Sequence, residues 1–157
     1  MRICTFGAAP VSAEWLARLR AEAPRVPIET IDASDAVSAL QFATKRFAGD
    51  DLVLVRADTV LPPFWLQRLT RALQLPDVLV ASPLDNVESA RAVLPPGESS
   101  DAGAGAIDAL THRYGRREAL QWPTFSTLLS AWHGAALRTL HGPGRRAAGL
   151  HPAASRK

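Results

Sequence analysis

The stretch Asp50-Asp51-Leu52-Val53-Leu54-Val55-Arg56-Ala57-Asp58-Thr59-Val60-Leu61-Pro62-Pro63-Phe64-Trp65-Leu66 decides the fold. Leu52 to Val55 form a short apolar run with the length and β-branching of a strand buried on both faces. The run stops at Arg56-Ala57-Asp58, which places polar groups at the carboxyl end of a sheet strand. Pro62 and Pro63 break the chain and are expected to open a helix, because proline is accommodated in a first helical turn. Ligands of open α/β sheets bind beyond the carboxyl ends of the strands. Asp58 therefore stands where a functional carboxylate belongs.

Working outward, the same alternation recurs. Arg2 to Gly7 reads as a first strand, and Ser12 as the N-cap of a helix with Trp15, Leu16, Leu19 and Ala23 on one face. Pro27 to Ile31 reads as a second strand ending in Asp32-Ala33-Ser34-Asp35. Val37, Leu40, Thr44 and Phe47 then follow at helical spacing, with Gly49 as the stop. Beyond the central stretch, Trp65, Leu66, Leu69 and Leu73 mark a helix. Asp77 to Ser82 read as a strand, Ile107 to Tyr114 as a short helix, Pro123 to Trp132 as a final strand, and Ala135 to Leu140 as a last helical turn or two. The fold class is α/β, a mainly parallel sheet flanked by helices.

At 157 residues and 47% apolar content the chain suits one domain with a sizeable core. The domain is expected over residues 1–141, with a Pro-, Gly- and Ser-rich mobile loop at 95–106 and a basic, disordered tail at 142–157. The tail accounts for the basicity. Without its Arg145, Arg146, Arg156 and Lys157, 14 basic residues face 15 acidic ones, a net charge of −1. A nucleic-acid-binding domain carries clustered Lys and Arg on a folded face instead. No apolar run reaches the roughly 18 residues of a membrane helix. The first residues do not read as a signal peptide, and Cys4 is alone, so a cytoplasmic location is expected.

With these residues in view, Arg56-Ala57-Asp58-Thr59, Leu61-Pro62-Pro63-Phe64-Trp65-Leu66 and Pro83-Leu84-Asp85-Asn86 resemble the pattern of the family 2 glycosyltransferases. The similarity is densest over residues 51–86 and thinner, but in order, over most of the first 140. It implies a Rossmann-like, nucleotide-diphospho-sugar transferase type of sheet. It also implies a nucleotide-sugar donor and a saccharide acceptor, with sugar transfer assisted by Mg²⁺ or Mn²⁺ as metal neutralising the departing diphosphate.

Residue by residue, the resemblance makes Asp58 the metal ligand. The preceding acidic position of the motif is Arg56 here, a guanidinium that repels a metal but suits a diphosphate. The plainer reading pairs Arg56 with Asp58 and leaves Asp58 capping a turn. Asp32 and Asp35 are candidate donor contacts, or Asp35 and Ser34 are N-caps of the next helix. Asp85, Asn86 and Trp132 are candidates on the acceptor side, against an Asx turn and core packing respectively. A general base must deprotonate the acceptor hydroxyl. The family draws it from an acidic residue after the later strand, yet Asp and Glu are absent after Glu118. His133 is the substitute base candidate, against a surface or interfacial histidine. His112, His141 and His151 receive no role, and Trp122 divides between acceptor stacking and packing. Two functions follow: a glycosyltransferase-like enzyme, shortened or degenerate and in that case inactive, or a non-catalytic binding or scaffold domain that keeps the fold.

Overall fold

The structure, a computed structural model, describes residues 1–8, 10–83 and 126–140, with isolated helical positions at 106, 109 and 113. Among the described residues five strands form one sheet: β1 (Arg2–Phe6), β2 (Ile28–Thr30), β3 (Leu52–Arg56), β4 (Val80–Ala81) and β5 (Leu129–Trp132). Four helices with described bounds accompany them: α1 (Ala13–Glu22), α2 (Ala36–Arg46), α3 (Trp65–Leu73) and α4 (Gly134–Leu140). Spatial order is β2-β1-β3-β5-β4.

The class is α/β, as the alternation of apolar runs implies, but the sheet is mixed. β1 pairs in parallel with β2 and β3, whereas β5 runs antiparallel between β3 and β4. Leu52 faces Trp132 and Val55 faces Leu129, so β5 ends where β3 begins. An apolar run does not encode its own direction, and that inversion redistributes the candidate site residues.

Alternation along the strands feeds two cores. Ile3, Val53, Val55, Leu129 and Ala131 point to one face and meet Leu19 and Ala23 from α1 and its C-cap and Trp65, Leu69 and Leu73 of α3. Cys4, Phe6, Leu52, Leu54 and Trp132 point to the other and meet α2 and Leu137 of α4. The central strand is therefore apolar at every step because both faces are covered. On α2 the inner surface is largely alanine (Ala36, Ala39, Ala43) around Leu40. Small residues let that helix lie close to the sheet, and Val37 is left half-buried at the margin.

Boundaries differ from the expected ones for local reasons. Pro62 and Pro63 precede α3 rather than opening it. Phe64 adopts a left-handed conformation (φ 60°), Trp65 N–H donates to the Pro62 carbonyl at 3.3 Å, and helix begins only there. Asp77 is also left-handed (φ 62°) and Val78 N–H turns back to the Leu75 carbonyl, which shortens the expected 77–82 strand to Val80–Ala81. Ser126 to Leu128 lie outside strand pairing, so the last strand is four residues long. The remainder of the expected 107–114 helix, residues 95–105 of the expected 95–106 loop, Trp122 and the 142–157 tail lie outside the described residues, and position 106 is helical. Among the described residues no helix is long and apolar enough to cross a membrane.

Candidate functional site

Parallel pairing of β1, β2 and β3 brings three strand ends to one edge. Gly7 N–H donates to the Ala33 carbonyl and Ala57 N–H to the Phe6 carbonyl, both within 2.9 Å, which ties the loops after β1, β2 and β3 together. Gly7 has φ +153°, and a Cβ there would touch Ala57 Cβ at 3.6 Å and Arg56 Cγ at 3.9 Å. From the other side, Arg56 N–H donates to the Leu128 carbonyl, and Thr59 Oγ1 reaches the same oxygen at 3.4 Å. Thr59 N–H closes a turn onto Arg56, and Trp15 Nε1 donates to the Thr59 carbonyl at 3.0 Å. The turn carrying Arg56 and Asp58 is thus fastened from β1, α1 and the segment entering β5.

On this frame Arg56 Nε donates to Asp58 Oδ1 at 2.5 Å. The Arg56 side chain is 33% exposed and that of Asp58 66%. The Arg56 hydrogen bond holds the Asp58 carboxyl below its ordinary value, outweighing the upward push of partial burial. Asp32 lies exposed after β2, on the same edge. β4 ends on this edge as well, and its following Ser82 accepts from Ser126 N–H at 3.1 Å while Ser126 Oγ accepts from Leu128 N–H. Ser126 is 1% exposed. Sequence reading took both serines as strand residues. Their trace in the sequence is a hydroxyl at each end of an apolar run, which does not distinguish a fastening from a strand terminus. Asp85 and Asn86 lie outside the described residues; Pro83, two residues before Asp85, is described at this edge.

Asp35 is a helix cap. Its Oδ1 accepts from Val37 and Ser38 N–H, each at 2.9 Å, and its Oδ2 from Ser38 Oγ at 2.7 Å. The Ser38 hydrogen bonds lower its pKa. Both oxygens are occupied, which leaves Asp32 as the remaining candidate carboxylate of that loop.

His133 and Trp132 sit at the opposite edge. Because β5 is antiparallel, the residue that follows it adjoins Asp51 at the start of β3, while Asp58 follows the end of β3. The separation is about the length of that strand, roughly 15 Å at about 3.3 Å per residue. His133 Nε2 donates to the Leu73 carbonyl at 2.8 Å, and Nδ1 faces Asp51 Oδ1 at 3.3 Å. Gly134 N–H donates to the same Asp51 oxygen at 2.8 Å. Burial alone would raise the Asp51 pKa, but the Gly134 N–H and the His133 ring together lower it. The histidine therefore clamps β3, β5, α3 and α4 together, with both ring nitrogens engaged. It lies about a strand's length from Asp58, at the opposite edge. Trp132 is 3% exposed among Phe6, Leu52 and Leu54, and its Nε1 donates to Ser130 Oγ at 2.9 Å. It is core and offers no face to an acceptor sugar.

The rest of that edge is structural too. Arg2 reaches Glu29 at 3.3 Å and Asp50 at 3.2 Å and lies 4.3 Å from the Phe47 ring centroid. A cleft of about 320 Å³ lies nearby, lined by Thr44, Phe47, Ala48, Gly49, Leu137 and Arg138. Its mostly apolar lining gives it no reactive group. Cys4 is fully buried, and burial pushes its thiol up to about 12.

The described residues at the Asp58 edge do not fit a divalent cation. Mg²⁺ and Mn²⁺ take hard oxygen ligands, and here the candidate carboxylate is bonded to a guanidinium, which sets a positive charge against any cation placed on it. No group of three or more metal-capable side chains occurs among the described residues. Comparison with known proteins gave no matching family model, no matching curated protein and no matching solved structure.

Proposed function

We propose that the chain is a glycosyltransferase-like domain that binds a nucleotide-diphosphate sugar at the edge formed by the ends of β1, β2 and β3. The supporting observation is the contrast between the two edges. At the β3 amino end, Arg2, Asp50, Asp51 and His133 hold one another or the backbone. At its carboxyl end, Asp32 is exposed and Arg56 keeps its terminal NH₂ groups without a partner among the described residues. That is where an open α/β sheet takes its ligand. In this reading Asp32 accepts from ribose or base and Arg56 pairs with the diphosphate.

Transfer to a saccharide needs a base at this edge, and His133 does not provide it. The reading is therefore of a donor-binding domain first, and of a transferase only with a base other than His133. A non-catalytic scaffold is the second reading, favoured by the burial of Trp132 and the structural engagement of His133. Calorimetric titration of the protein with UDP, GDP and dTDP separates the two. Binding of one nucleotide, weakened by Arg56→Ala and unaffected by His133→Asn, supports the donor site. Failure of a folded sample to bind any of them refutes it.

A further inference from the structure

We infer that Arg56 takes the place of a divalent cation, so that this edge recognises a diphosphate without metal, with Asp58 as a positioning residue for the guanidinium. The inference rests on the proposed donor site and specifies its chemistry.

Three features of Arg56 converge. Its backbone is held in β3, between the Phe6 carbonyl that receives Ala57 N–H and the Leu128 carbonyl that receives its own N–H, and the turn behind it is closed by Thr59. Its side chain is 33% exposed, so it keeps access to solvent. Among the described residues its guanidinium is engaged through Nε alone, at 2.5 Å from Asp58 Oδ1. A planar guanidinium held by Nε presents its two NH₂ groups outward, a fork whose spacing matches two oxygens of a phosphate.

The carboxylate that a metal site requires thus serves another purpose. Asp58 restricts the long arginine side chain to one orientation, which lowers the entropy lost when an anion is bound. A cation approaching Asp58 would have to break that bond and then sit beside the displaced guanidinium. A diphosphate approaching Arg56 breaks nothing, and two of its oxygens can meet the two NH₂ groups.

The test is titration of the full chain with UDP, GDP, dTDP and, separately, inorganic pyrophosphate, each in EDTA and in Mn²⁺. The nucleotide that binds is expected to do so in EDTA within about twofold of its affinity in Mn²⁺. Arg56→Ala should weaken it tenfold or more, in line with loss of a charge-assisted bidentate contact. Arg56→Lys, which keeps the charge and loses the fork, should recover only part of that loss. Asp58→Asn should weaken binding severalfold without creating a need for metal. A thermal midpoint for each variant guards against misfolding, and the lysine variant keeps the test informative if the alanine variant does not fold.

Binding that requires Mn²⁺ and survives Arg56→Ala overturns the inference while leaving the donor site intact. Pyrophosphate binding in EDTA that Arg56→Ala abolishes, with no nucleotide binding, upholds the anion fork and refutes the nucleotide-sugar reading. No binding of either probe overturns both.

Discussion

Gly134→Ala tests the clamp that removes His133 from the candidate site. A Cβ at this position would lie 2.4 Å from the Gly49 carbonyl oxygen, 2.7 Å from that of Asp50 and 2.7 Å from Gly49 C. Carbon–oxygen approaches ordinarily begin near 3.3 Å, so the overlap is about 0.9 Å, and all three atoms belong to backbone. The first turn of α4 must move away from the loop before β3. That motion strains a packed junction, at about 1–3 kcal/mol. It also stretches the Gly134 N–H bond to Asp51, of a charge-assisted type that contributes about 1.5–3 kcal/mol. The bond is stretched and not abolished, which brings the expected destabilisation to about 3 kcal/mol. For a domain of this size each kcal/mol lowers Tm by about 2–4 °C, so a fall of about 6–12 °C is expected in a circular-dichroism melt. Exposed Ala135→Ser is the matched control and should stay within about 0.5 kcal/mol of the parent. A Gly134→Ala midpoint within about 2 °C of the parent would refute the close approach of α4 to the β3 entry, and with it the placement of His133.

Three more outcomes follow from individual contacts. Asp35→Ala removes the acceptor for two backbone N–H groups of α2 and should cost about 1 kcal/mol in urea unfolding, with nucleotide affinity unchanged; a loss of affinity would return Asp35 to the donor site. Asp51 has a folded pKa below its unfolded value, so its contribution is present above about pH 4 and is lost as pH falls through the folded pKa. Asp51→Asn should therefore flatten the acid limb of a stability–pH profile below about pH 4, and an unchanged limb would exclude Asp51 as a contributor. Cys4, with its thiol pushed up to about 12, should resist a thiol reagent at pH 8 in the native state and react on unfolding; rapid native-state labelling would show that β1 is not buried.

Periodicity made most of the architecture legible. β1, α1, α2, β3 and α3 lie where apolar spacing puts them, Ser12 caps α1 through its hydroxyl at 3.1 Å from Trp15 N, and Asp35 caps α2. Asp58 lies at the carboxyl end of β3 and pairs with Arg56, as the plainer reading of that pair had it. What the sequence did not disclose is strand direction. The 123–132 segment has the composition of a strand running either way, and a parallel β5 would have carried His133 and Trp132 to the Asp58 edge. The antiparallel pairing of Leu52 with Trp132 carries them to the other one. Two boundaries were hidden by left-handed residues, Phe64 and Asp77, because neither is a glycine that would announce such a conformation. The serine fastening between Ser82 and Ser126 spans 44 residues, beyond the reach of any local pattern.

The measurement that bears most directly on the donor edge is amide chemical-shift mapping of the ¹⁵N-labelled protein during titration with the nucleotide that binds. The largest changes are expected at Gly7, Asp32, Ala57 and Thr59, with Gly49, Gly134 and Arg138 unmoved. Changes centred on Gly49, Gly134 and Arg138, with Ala57 and Thr59 silent, would place the ligand at the amino end of β3 and contradict the assignment of the site to Arg56 and Asp58.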